Sequence, residues 1–164
     1  MAGQIKVAGI VKESIVDGPG IRYVVFTQGC KHNCPGCHNL QTHSFEGGSM
    51  MDVGIILQQI KENPLLDGIT LSGGEPLEQA EELVELAAKV KEMKLSVIIY
   101  TGYTYEQIIE NSENRPGWKR LLQYTDILVD GPFIQELADP LLPFRGSSNQ
   151  RVINLKLEAP AIGV

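Results

Sequence analysis

A chain of 164 residues holds enough apolar material for one hydrophobic core and too little for two. Its composition, 43% hydrophobic and 21% charged, is that of a folded protein, and apolar runs such as Val97–Tyr100 fall far short of a membrane span. The net charge of −6, with Lys89, Lys91 and Lys94 interleaved among Glu85 and Glu92, argues against a nucleic-acid partner, which would need a basic footprint.

The opening residues Met1–Lys6 lack the basic region and long apolar segment of a secretory signal. A cytoplasmic protein of one domain, 1–164, is expected. In chain order, the turn Asp17–Gly20 leads into a strand over Arg22–Thr27, rich in β-branched and aromatic residues. Ser49 and Asp52 stand at capping-box spacing, with Asp in place of the usual Glu or Gln, ahead of a helical face of Val53, Ile56, Leu57 and Ile60. A short apolar strand, Ile69–Leu71, runs into Ser72–Gly73–Gly74–Glu75–Pro76.

The clearest helix follows. Leu83, Leu86, Ala87, Val90 and Met93 form one stripe, with Glu78, Glu81 and Glu82 near its start and lysines near its end, as the helix dipole favours. A strand over Ser96–Tyr100 ends at Thr101–Gly102. A polar helix over Tyr105–Asn111, a break at Arg115–Gly117 and a short helix through Leu121 come next. The strand Ile127–Val129 closes on Asp130–Gly131–Pro132, and a last strand, Arg151–Leu155, follows the polar turn Gly146–Asn149.

Strands alternating with helices predict α/β layering. About five to six mostly parallel strands are too few for a closed eight-stranded barrel, so a partial, open (β/α) barrel fits the length. In such folds functional loops gather beyond the carboxyl ends of the strands. The cysteines, Gly73–Glu75, Thr101–Gly102 and Asp130–Gly131 all follow predicted strands, and that shared position makes them one candidate site.

Cysteine usage is the sharpest chemical signal. The chain has three, Cys30, Cys34 and Cys37, within eight residues. An odd count so tightly clustered is a poor disulfide framework, and three neighbouring thiolates repel one another unless a cation neutralises them. Two metal readings stand side by side. A four-iron cluster with three protein ligands would keep one iron open. A structural zinc site would add His32, His38 or His43 as its fourth ligand. Three buried structural thiols without metal are the bland alternative.

The CxxxCxxC loop after one strand and Gly73–Gly74–Glu75 after the next resemble the radical S-adenosylmethionine superfamily. Within it, Asp17–Arg22 and Cys37–His38–Asn39 resemble the glycyl-radical-enzyme activases. The Cys34–Pro35–Gly36–Cys37 sequence, Val129–Phe133 and the stretch Phe144–Arg151 are similar to the branch that serves anaerobic ribonucleoside-triphosphate reductase. The resemblance spans nearly the whole chain, and the cysteine spacing with Gly-Gly-Glu is its most specific part.

The resemblance implies a barrel of the radical S-adenosylmethionine type and a [4Fe-4S] cluster held by Cys30, Cys34 and Cys37. The open iron would chelate S-adenosylmethionine, whose reductive cleavage yields a 5′-deoxyadenosyl radical. The implied partners are the large glycyl-radical subunit of the reductase and a reduced flavodoxin or similar donor. Gly73 and Gly74 would meet the amino group of the methionine moiety, with Glu75 extending the same loop, and Thr101 and Gly102 would border the cofactor unless they form a plain turn. Many superfamily members carry an aromatic residue before the third cysteine, where this chain has Gly36, leaving His38 or backbone as adenine contacts.

Other residues carry alternatives. Gly-Gly-Glu-Pro also reads as a plain strand-to-helix turn with Pro76 at the first helical position. Asp130 suits ribose hydroxyls, a substrate amide or a turn cap. A buried Arg22 would need an anionic partner, with Glu75 or a cofactor carboxylate in reach. Arg145 and Arg151 flank a loop fit for partner or cofactor binding, or for plain solvation. His32 is expected beside the ligands rather than among them, His43 on a loop surface, and Tyr103, Tyr105 and Trp118 in packing. Two other functions remain open: a radical enzyme acting on a small molecule such as a deazapurine precursor, and a non-catalytic zinc-stabilised module.

Overall fold

The computed structural model describes residues 3–30, 32, 44 and 46–158. Its strands are β1 (Gln4–Ser14), β2 (Arg22–Thr27), β3 (Ser49–Asp52), β4 (Gly68–Gly73), β5 (Ser96–Tyr100), β6 (Ile127–Asp130) and β7 (Arg151–Asn154). They form one sheet in the order β3-β1-β2-β4-β5-β6-β7. Strands β2, β4, β5 and β6 run parallel, while β1 pairs antiparallel with β2 and β3, and β7 pairs antiparallel with β6. The sheet is therefore mixed, with seven strands among the described residues rather than five to six.

The parallel centre is where expectation and structure agree, because its strands are near-continuous apolar runs buried on both faces. The two unforeseen strands lie on one flank. In β1 only Ile5, Val7 and Ser14 are buried, and its ladder with β2 shifts register between Val7 and Gly9, so the two-residue period is blurred. The residues read as a capping box, Ser49–Asp52, are instead β3. Asp52 caps the next helix with no side-chain bond, and Val53 N–H donates to the Gly3 carbonyl at 2.9 Å. Strand β7 ends at Asn154, and Leu155 opens a short helix.

Helices α1 (Val53–Lys61), α2 (Ala80–Glu92), α3 (Tyr105–Asn111) and α4 (Pro116–Gln123) contribute to one core, and α5 (Leu155–Glu158) follows β7. Tyr23, Val25, Ile69, Leu71, Val97, Ile99 and Leu128 supply the sheet's share of it, and Leu83, Leu86, Val90 and Leu121 the helices'. Each fully buried aliphatic side chain there contributes roughly 1.5–3 kcal/mol. The alternate residues Arg22, Val24, Thr70, Ile98 and Val129 are also buried, on the opposite face. On that face Gly18, Pro19 and Phe144 close over Ile98, Tyr100 and Val129 around an apolar recess of about 90 Å³.

Among the described residues, no helix is long and apolar enough to cross a membrane.

Candidate active site at the strand ends

Because β2, β4, β5 and β6 are parallel, their carboxyl ends share one edge of the sheet, and the loops leaving them are tied together. The β2–β4 register runs as far as Thr27 opposite Gly73, then continues beyond the strands. Gly74 N–H donates to the Thr27 carbonyl and Glu75 N–H to the Gly29 carbonyl, both at 2.8 Å. Thr101 N–H bonds the Val129 carbonyl at 2.9 Å, and Gly131 N–H the Tyr103 carbonyl at 2.9 Å.

Gly73 makes the first of these junctions possible. Its φ of 100° lies in the left-handed region, and a Cβ there would sit 2.5 Å from the Thr27 nitrogen. The turn lets Glu75 cap a 3-10 turn, Pro76–Gln79, with Pro at its first position. The bland reading of Gly-Gly-Glu-Pro is thus correct as local structure, and it leaves the carboxylate free to do more.

Glu75 has no solvent exposure, yet its carboxylate is fully used. Oε2 accepts from Leu77 N–H at 3.1 Å and Thr101 Oγ1 at 2.7 Å. Oε1 accepts from Gly102 N–H at 2.8 Å and from His32 Nε2 at 2.5 Å. One buried anion therefore joins the loops after β2, β4 and β5.

His32 is held on further sides. Its ring meets Tyr103 edge-on at 4.5 Å between centroids, and Tyr103 leans on Trp118 at 4.7 Å. Arg115 lies over the Trp118 ring at 4.7 Å. Burial pushes the Tyr103 phenol up to about 12, with Glu78 and Glu75 adding, Arg115 opposing and Cys30 adding. Cys30 is half-buried at the start of the cysteine loop.

Asp130 belongs to a neighbouring cluster. It is 1% exposed, and its carboxylate pairs with Arg151 through both oxygens while accepting Tyr105 N–H at 2.7 Å. It thereby caps α3 from the end of β6. Arg151 also bonds Glu106, at 2.7 Å. The Arg145–Arg151 loop is stapled rather than solvated. Gln150 bonds Gly146 and Ser147 N–H and the Gly131 carbonyl, and Asn149 bonds the Pro132 carbonyl at 2.8 Å.

Arg22 differs from expectation. It is 1% exposed and finds neutral acceptors rather than a carboxylate: Thr70 Oγ1 and the carbonyls of Pro19, Ile69 and Ser96. Burial lowers its pKa to about 10, with Asp67 and Asp126 opposing. It lies at the opposite, amino-terminal end of β2 from Glu75.

The structure thus brings Glu75, Thr101 and Gly102 into direct contact, with Gly73 and Gly74 in the same loop and Cys30 beside it. Cys34, Cys37, His38 and His43, with Gly36, lie outside the described residues. Sequence reasoning missed the His32–Glu75 bond. Its only linear trace is Gly102, whose lack of a Cβ admits the His32 ring.

Comparison with known proteins gives this geometry its context. Residues 16–153 match the family model of a 4Fe-4S single cluster domain. The anaerobic ribonucleoside-triphosphate reductase-activating protein of Haemophilus influenzae is 37% identical over 153 residues, covering 87% of this chain and 94% of that protein. The protein of the same name from Escherichia coli K12 is 32% identical over 150 residues, with 87% and 94% covered. The solved structure of Escherichia coli QueE overlaps 62% of this chain and 54% of that one at 18% identity and a TM-score of 0.48, a likeness too loose to bear on function.

Proposed function

The chain belongs to the family of anaerobic ribonucleoside-triphosphate reductase-activating proteins, and from that premise we propose that it is the radical S-adenosylmethionine activase of a reductase of that kind. The observation that carries this reading is that Gly29 and His32, on either side of the first cysteine, bond Glu75 in the loop of Gly73, Gly74 and Glu75.

The donor set fits a [4Fe-4S] cluster. Cys30, Cys34 and Cys37 would hold three irons and leave the fourth for S-adenosylmethionine. A reduced cluster held there would supply the single electron for reductive cleavage of S-adenosylmethionine, the source of the radical chemistry that activates a glycine of the reductase.

The chain's residues bind and align. Gly73 and Gly74 would offer backbone to the methionine moiety, on the turn that the left-handed φ of Gly73 makes possible. Glu75, Thr101 and Gly102 set the floor beneath it. His38 is the candidate adenine contact, and Asp130 with Arg151 borders the ribose side. We read the four parallel strands with their helices as part of an open (β/α) barrel, whose open side would admit a protein loop. The protein works as a single domain in the cytoplasm, with a reduced flavodoxin or similar carrier as electron donor.

Anaerobic reconstitution tests the reading. The loaded chain, given reductant and S-adenosylmethionine, should form 5′-deoxyadenosine and, with the reductase subunit, a glycyl radical visible by paramagnetic resonance. Cys34→Ala should lose iron, sulfide and both products. Native oxygen-free protein holding one zinc, without iron or sulfide, refutes it.

A further inference from the structure

We propose that His32 and Glu75 form a clamp that positions the cysteine loop for cluster binding, with Gly102 as the notch that admits the imidazole. This rests on the reading of Cys30, Cys34 and Cys37 as cluster ligands. His32 stands two residues after the first cysteine and two before the second. Its side chain is 17% exposed and bonds a carboxylate with no exposure at all. A loop that must bring three thiolates to one cluster loses conformational freedom when it closes. A bond from within that loop to the rigid end of β4 removes much of that freedom beforehand.

Three features show that the imidazole has a prepared seat. The three atoms nearest a Cβ built on Gly102 all belong to the His32 ring, at 2.6, 2.7 and 2.9 Å. Gly102 has no left-handed φ, so its want of a side chain serves that contact rather than the backbone. Glu75 keeps Leu77 N–H, Thr101 Oγ1 and Gly102 N–H when His32 is removed, so the carboxylate stays satisfied and the fold survives. The clamp is therefore separable from the framework that carries it. His32 acts on the cluster through the loop, as a positioning residue.

His32→Ala and Gly102→Ala reach the clamp from opposite sides: one removes the ring, the other fills its seat. In the reconstituted protein each should speed loss of iron to a chelator about tenfold, because loop reclosing competes with chelation. The double variant His32→Ala/Gly102→Ala should be no worse than either alone, since the added methyl then meets no ring. The paramagnetic spectrum of the reduced cluster should change shape in both single variants, while the thermal midpoint of the metal-free chain holds.

A second arm uses the metal-free chain. Trypsin should cut after Lys31 about fivefold faster in His32→Ala, with cutting after Lys61 unchanged. Wild-type retention and cutting rates in His32→Ala overturn the proposal, as does a double variant whose effect is the product of the single ones. A wild-type chain that takes up no iron and sulfide defeats the cluster reading instead, and the tryptic comparison then still judges the clamp.

Discussion

Arg22 donates from Nε to Thr70 Oγ1 across 2.9 Å, and the Thr70 hydroxyl passes a 2.8 Å bond on to the Asp17 carbonyl. A strand, its neighbour and the Asp17–Gly20 turn are thus joined through one buried guanidinium. The fork geometry matters, because four separate oxygens are served at once.

Arg22→Met should therefore cost about 2–4 kcal/mol of unfolding free energy, by leaving buried acceptors without a donor. Arg22→Lys should cost less, since an ammonium still reaches one or two of them. Urea unfolding of the metal-free chain measures both.

Gly73→Ala should be more damaging than its size suggests. The new methyl would meet Thr27 backbone, which cannot swing aside, at a φ that disfavours any side chain. A loss of roughly 2–4 kcal/mol is expected. Because the same turn delivers Glu75, iron retention should fall with stability, as thermal melting and iron assay would show.

The Asp130–Arg151 pair gives an asymmetric prediction. Asp130→Asn removes a buried charge and leaves Arg151, 46% exposed, with Glu106 and water. Its cost should be about 1–2 kcal/mol. Arg151→Ala strands the Asp130 carboxylate, so it should cost more, and the double variant should fall short of the sum. A double-mutant cycle by urea unfolding reads this coupling.

Alkaline titration should separate the tyrosines. Burial pushes Tyr23 up to about 12 and Tyr103, aided by Glu78, to about 12, so both should ionise well above the usual value of 10.0. Between those values the unfolded chain has released protons that the folded chain keeps, so stability should fall as pH rises from 10 towards 12. Absorbance at the phenolate band and urea midpoints on either side of that window check the sign.

Much of this was readable from the linear chain, and the rest was hidden for identifiable reasons. The central strands are short, near-continuous apolar runs and α2 carries one helical stripe, signals that survive any tertiary context. Strand β1 does not: its buried positions are few and its register shifts, so nothing periodic marks it. Thr104 and Gln107 form the complete capping box of α3, while the same spacing at Ser49 and Asp52 lies in a strand. An N-terminal pattern of that kind is ambiguous until the neighbouring backbone shows which donors lack partners.

The chemistry of the site follows the same division. Three cysteines at close spacing favour a metal or redox role over a disulfide framework whatever the fold, because thiolate repulsion is local. Which carboxylate steadies that loop is a different matter. His32 and Glu75 are 43 positions apart, and Glu75 and Thr101 are 26 apart. Residue order carries the ligands and the strand periods, since both act over a few bonds. Only folding brings distant loops to one edge of a parallel sheet, where burial strips water from a carboxylate and forces it to find donors in all of them.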